Sequence, residues 1–182
     1  SYWEPITIWF GDFFLGWDFI PELLRKGFDS KYDFARFLLI AGIAVVGTIG
    51  WMFLDKLKSW EYNPRLKAIL QTTLRYHLGF TLILYGLAKV FPLQFGTLGV
   101  DMLMNEFGEF EPMRLLWSFM GYSRFYTGVT GWVEVLGGLF LLFRKTTFLG
   151  IFLSFVAMIN VEVIDIGYDV TVKMFAIHML IM

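Results

Sequence analysis

The 182-residue sequence contains no cysteine and two histidines. Without thiols the chain cannot build a disulfide, a thiolate zinc site, an iron–sulfur cluster or a cysteine nucleophile. His77 and His178 lie near opposite ends of their polar stretches with no His-x-x-x-His spacing, so neither a haem nor another metal site is expected between them. Charge is also scarce. Asp, Glu, Lys and Arg make up 17% of the residues, and 15 basic against 16 acidic groups give a net charge of −1. That balance offers no overall basic field to a nucleic-acid backbone, and no nucleic-acid partner is expected. No Walker motif or dinucleotide fingerprint occurs. Gly42, Gly47 and Gly50 lie inside an apolar run rather than in a strand–turn–helix, so they form no phosphate loop. What is abundant is apolar bulk: 57% hydrophobic and 20% aromatic residues, with a mean hydropathy of +0.62. This composition excludes a disordered or collagen-like chain and points to a polytopic membrane protein.

The apolar runs predict an all-α integral membrane protein, a four-transmembrane-helix bundle plus an N-terminal span or interfacial helix. The runs cover residues 34–54, 73–93, 124–143 and 148–166, and a fifth, 170–182, is still apolar where the sequence stops. About a dozen residues cannot cross a hydrocarbon core of about 30 Å, so a C-terminal continuation is expected. A start at Ser1 without an initiator Met likewise implies a processed or missing front. Residues 1–33 are expected to form an external aromatic-rich interfacial segment, followed by the transmembrane bundle over 34–182. Within the first segment, residues 6–20 read ITIWFGDFFLGWDFI, with Asp12 and Asp18 six apart. An interfacial helix and the tail of an earlier span are both compatible with this stretch.

Orientation follows from the Lys and Arg residues in the connections. Lys56, Lys58, Arg65 and Lys67 lie between the first two spans, and Arg144-Lys145 between the third and fourth. Both connections fall on one side, which is assigned as cytoplasmic. Residues 94–122, with Asp101, Glu106, Glu109 and Glu111, then lie outside. The Met102–Met104 and Leu115–Met120 stretches, broken by Pro92, Pro112 and several glycines, predict short helices lying on the bundle as a lid.

Charged residues within spans are costly, roughly 2.5–3.5 kcal/mol each near the centre on insertion scales, and need partners. Threading the spans through the bilayer brings Lys89, Glu134, Asn160, Glu162, Asp165, Asp169 and Lys173 to similar depth in the outer part. Asp169 and Lys173 are four apart, a favourable acid-before-base pair. Lys173 could also meet Glu162 or Asp165 across a hairpin at residues 166–168, with Gly167 ending the helix. Lys89 with Glu134 is the natural interhelical pair. Gly79 and Gly86 on one span, and Gly128, Gly131, Gly137 and Gly138 on the next, predict a close backbone contact that would bring these two together. Such a cluster serves either to fix helix register, or to line a polar pocket open to the outer face, or to relay protons.

The residues Arg75-Tyr-His-Leu-Gly79, Tyr85-Gly86-Leu-Ala-Lys89 and Gly131-Trp-Val-Glu134-Val-Leu-Gly137-Gly138 resemble the DoxX family of small membrane proteins. Residues 119–123, 143–150 and 168–173 resemble a branch of DoxX-like proteins common in the Bacteroidetes. The resemblance runs from about Leu74 to the end. It implies a four-helix membrane bundle and an association with quinone-linked redox chemistry, from which this chain departs in lacking any cysteine for thiol handling. The expected role is therefore an integral membrane subunit or accessory factor of an envelope or respiratory oxidoreductase complex, in the bacterial inner (cytoplasmic) membrane as a multi-pass protein. Membrane lipid and other membrane subunits are the expected partners, and quinone is the candidate cofactor. The expected binding residues are Lys89, Glu134, Tyr85, Trp132, Asp165, Asp169 and Lys173, with Tyr85 and Trp132 as aromatic walls between the second and third spans. No catalytic residue is assigned. A non-catalytic scaffold subunit and a small-solute or proton carrier are the alternatives.

Overall fold

The computed structural model describes residues 3–17, 29–58 and 64–182, all helix and connecting turns with no strand among the described residues. Asp18 and the centre of the connection between the first two expected spans, residues 59–63, lie outside the described residues. The chain divides into two compact units, Ser1–Pro64 and Arg65–Met182.

The first unit holds α1 (Glu4–Leu15) and α2 (Lys31–Lys58). In α1, Pro5 sits in the first turn, where its missing N–H costs nothing, and Gly16 ends the helix in the left-handed conformation at φ 60°. α2 opens with a reciprocal cap. The Asp33 backbone N–H donates to Ser30 Oγ at 3.3 Å, while Ser30 N–H donates back to Asp33 Oδ2 at 3.0 Å. α1 packs on α2. Thr7 and Gly11 are buried on α1, and Ala35 and Leu39 on α2, each pair four residues apart on one helical face. From Gly42 to Leu54 α2 is almost wholly apolar yet exposed, Val46 by 70% and Met52 by 66%.

The second unit contains α3 (Pro64–Val90, from Arg65 on), α4 (Val100–Met104), α5 (Pro112–Tyr122), α6 (Arg124–Leu142), α7 (Thr147–Gly167) and α8 (Lys173–Ile181), with a 3-10 turn at Phe107–Glu109. α3 runs antiparallel to α6, and glycines set their separation. A Cβ on Gly86 would sit 2.5 Å from the Gly131 carbonyl oxygen, and one on Gly138 would sit 2.5 Å from that of Gly79. Any side chain at these four positions would therefore collide with backbone. α6 and α7 form a hairpin on the same principle. Gly137 faces Ser154, and a Cβ on Gly150 would lie 2.6 Å from Leu141 N. Leu82, Leu141, Met158, Ala176 and Met179 form a core joining α3, α6, α7 and α8. A second cluster seats Leu116 and Met120 of α5 against Val170 in the α7–α8 turn.

Three helical stretches, Lys31–Leu54, Arg124–Leu142 and Thr147–Gly167, are by length and composition long and apolar enough to cross a bilayer. The expected span at 73–93 belongs to a much longer helix. α3 has 27 residues and begins at Pro64, so Arg65 and Lys67 lie in its first turns rather than in a loop. Its four basic side chains, Arg65, Lys67, Arg75 and Lys89, keep it less apolar than the other three long helices. Lys56 and Lys58 likewise belong to the end of α2. The helix over residues 148–166 ends where its glycine was expected to end it. Gly167 is its last residue, and the left-handed position falls on Asp169, at φ 50°. α8 starts at Lys173, after a turn closed by the Val170 N–H donating to the Asp165 carbonyl at 2.9 Å.

Candidate functional site

Helix geometry alone aims Lys89 at Glu134. Every Cα–Cβ bond tilts toward its helix N-terminus. On antiparallel helices in backbone contact, Lys89 therefore reaches back along α3, and Glu134 reaches back along α6 toward the level of Gly86 and Gly131. Lys89 Nζ donates to Glu134 Oε1, and the two side chains are only 8% and 4% exposed. The glycine contact places both groups, because nothing but Gly at 86 and 131 lets the helix axes come this close. The second carboxylate oxygen, Glu134 Oε2, is buried with no hydrogen-bond partner.

This ion pair lies at the wall of a cavity of about 360 Å³ enclosed by α3, α5, α6, α7, α8 and the segment after α3. The volume is at the small end of the range for pockets that hold small molecules, about 300–1,000 Å³. Most of the wall is apolar: Leu82 from α3, Trp117 and Met120 from α5, Val129 and Val133 from α6, and Phe175 from α8. Tyr85 stacks on Phe175 with ring centroids 5.0 Å apart, and Phe95 meets Trp117 edge-on at 5.1 Å. Its polar groups include Lys89, Glu134, Asp165, Asn160, Thr130 and Gln94. The Thr130 hydroxyl already donates to the Thr127 carbonyl at 2.8 Å, while Gln94 Oε1 is buried without a hydrogen-bond partner. A smaller cavity of about 40 Å³ adjoins the other side of Lys89, bounded also by Phe95, Met120, Arg124 and Thr127. An apolar chamber with a few convergent polar groups is the form a small-molecule site takes.

Of the residues expected to bind a ligand, Tyr85, Lys89, Glu134 and Asp165 line the chamber, whereas Trp132, Asp169 and Lys173 do not. Trp132 is two residues from Glu134, roughly 200° around the helix, and is 51% exposed on the opposite side. The aromatic wall expected from it is supplied instead by Phe175, Trp117 and Phe95. Lys173, its side chain 24% exposed, pairs with the exposed Asp169 at 2.7 Å and donates to the Val170 carbonyl at 2.9 Å. Gln94, Trp117, Met120 and Phe175 escaped the sequence reading. Gln94 sits just after the Phe91-Pro92 stop of α3, and a polar residue directly beyond a helix stop was the available signal. The inward faces of α5 and α8 carried none, since both helices are apolar on several sides. No group of three or more metal-ligating side chains occurs among the described residues. At the other end of the unit, Arg75 Nη1 donates to Thr147 Oγ1 at 3.2 Å and lies 5.2 Å from the Tyr76 ring centre, tying α3 to the start of α7.

These features define an all-helical protein, with three helices apolar enough to span a membrane, that holds a chamber between its helices. The chain is similar to the uncharacterized protein YwoB of Bacillus subtilis (strain 168), at 29% identity over 116 residues, covering 64% of this chain and 73% of that protein. No protein-family model matches the chain. No solved structure matches it either.

Proposed function

We propose that the chain is a multi-pass membrane protein of DoxX type, crossing the bacterial inner membrane with α2, α3, α6 and α7, and that it binds a small amphipathic ring compound, a quinone, in the α3–α8 chamber. In this reading it serves as a membrane subunit or accessory factor of an oxidoreductase complex. The observation that carries the reading is the chamber itself: about 360 Å³, walled by aromatic and aliphatic side chains, with the Lys89–Glu134 pair on one side. In this reading a flat ring would lie among the Tyr85–Phe175 stack and Trp117, and its polar substituents would meet the ion pair. α3 is long enough to cross, about 40 Å at 1.5 Å per residue, with Arg65, Lys67 and Lys89 near its ends and Arg75 nearer its middle. The connection with redox complexes rests on the DoxX resemblance of Arg75–Lys89 and Gly131–Gly138.

The test is extraction of the native protein in mild detergent, followed by mass spectrometry of co-purifying polypeptides and organic-soluble compounds. Stoichiometric quinone together with redox subunits is the expected result. A protein that carries neither, and binds no quinone when it is added, overturns the proposal and leaves a scaffold role for the glycine-packed helices.

A further inference from the structure

The chamber's polar groups discriminate between ligands that accept hydrogen bonds and ligands that donate them. Lys89 Nζ is engaged with Glu134 Oε1, while Glu134 Oε2 is buried without a hydrogen-bond partner on a residue 3% exposed. Gln94 Oε1 is a second buried acceptor in the same state. A carboxylate oxygen can only accept, whereas an amide can rotate to offer its NH₂ instead, so Glu134 sets the requirement.

We infer that the chamber selects a ring bearing a hydroxyl over the same ring bearing a carbonyl, taking the hydroquinone in preference to the quinone. The inference rests on the chamber being a ring-binding site, as proposed above. A ring carbonyl can accept from Lys89 but leaves Glu134 Oε2 as it is. A ring hydroxyl accepts from Lys89 and donates to Oε2 with one oxygen atom. One added hydrogen bond to a buried charged acceptor corresponds to about tenfold in affinity.

The test is calorimetric titration of the full chain in lipid nanodiscs, without oxygen, using a decyl-substituted benzoquinone and its hydroquinone as probes. The expected result is that both bind, the hydroquinone about tenfold more tightly. In Glu134→Gln the amide oxygen takes over the bond from Lys89 and the NH₂ is left to face the ligand, so the preference is expected to vanish or invert. If that variant does not fold, the double variant Lys89→Gln/Glu134→Gln removes the charges together, and its two affinities are expected to be equal within about twofold. Equal affinities in the wild-type protein, or tighter binding of the carbonyl form, overturn the inference and leave the chamber reading intact. A preference that survives in both variants overturns the role given to Glu134. If neither probe binds, the chamber reading falls and the inference with it.

Discussion

Two sets of glycines stand in this chain, and they do different work. Gly42, Gly47 and Gly50 of α2 have open space where a Cβ would be, with no atom within 4 Å. Gly79, Gly86, Gly131 and Gly138 have backbone there, at 2.5–3.0 Å. In sequence the two sets look alike, as small residues recurring through an apolar helix. Only the second has a partner set in opposite register, and only the second brings a charged pair together. The lesson is that a small-residue stripe tells where a helix could be approached, while a complementary stripe with facing charges tells where it is.

Substitution at the two sets separates them most sharply. Gly86→Leu should abolish the folded second unit, since overpacking by one methylene already costs about 1–3 kcal/mol and here the obstacle is backbone. Size-exclusion profiles in detergent should show loss of the monodisperse species. Gly47→Leu, by contrast, should leave both yield and profile unchanged. A tolerated leucine at position 86 would show that α3 and α6 are not in contact.

Next in size is the ion pair that the second set positions. Glu134→Ala leaves the Lys89 ammonium buried and alone, at an expected cost of about 3–5 kcal/mol, read as a lowered thermal midpoint. Adding Lys89→Met to that variant should recover most of the loss, because two apolar side chains can replace a buried pair. If the double variant is no more stable than the single, the coupling is absent.

The chamber wall should respond more mildly. Phe175→Ala removes a ring stacked on Tyr85, at about 0.5–1.5 kcal/mol beyond the lost apolar burial. Quinone affinity, measured by titration, should fall with it. Trp132→Ala, on the outer side of α6, should leave affinity within about twofold of wild type. The smallest effect is expected at the α7–α8 turn. Asp169→Asn keeps a residue tolerant of positive φ and breaks only an exposed pair, so the thermal midpoint should move by no more than about 1 kcal/mol of stability implies. A large drop there would mean the turn is held by its charge rather than by Val170.

The contact between α3 and α6 was legible in the sequence because helical periodicity fixes which residues share a face. Gly79 and Gly86 lie on one face of α3, and of the four α6 glycines expected to meet them Gly131 and Gly138 do, whereas Gly137 faces Ser154 of α7 and Gly128 has open space. The placing of Asp165 beside Lys89 and Glu134 on the chamber wall was legible for the same reason. The start of α3 was also written there, in a proline at its first position, but the basic residues beside Pro64 read as a loop. The chamber was not legible. It depends on how α5 turns at Ser123 into α6 and how α8 turns back after Asp169, and two turns of a few residues decide which face of each apolar helix looks inward. Trp132 illustrates the limit. As an aromatic residue near a buried Glu it looked like a wall, but two residues along a helix is the far side.

The chamber also has a side. Tyr85, Val129, Val133 and Val156 line it and are each exposed by 36–50%. Its boundary is therefore thin and apolar where these side chains meet the surroundings. In the bilayer placement proposed above, the relevant solvent for a compound crossing there would be hydrocarbon, and occupancy would follow mole fraction in the bilayer rather than aqueous molarity. Two ring compounds of equal intrinsic fit would then fill the chamber in proportion to how each distributes into lipid, and lengthening a ligand's tail would raise its apparent potency without touching a single residue of the site.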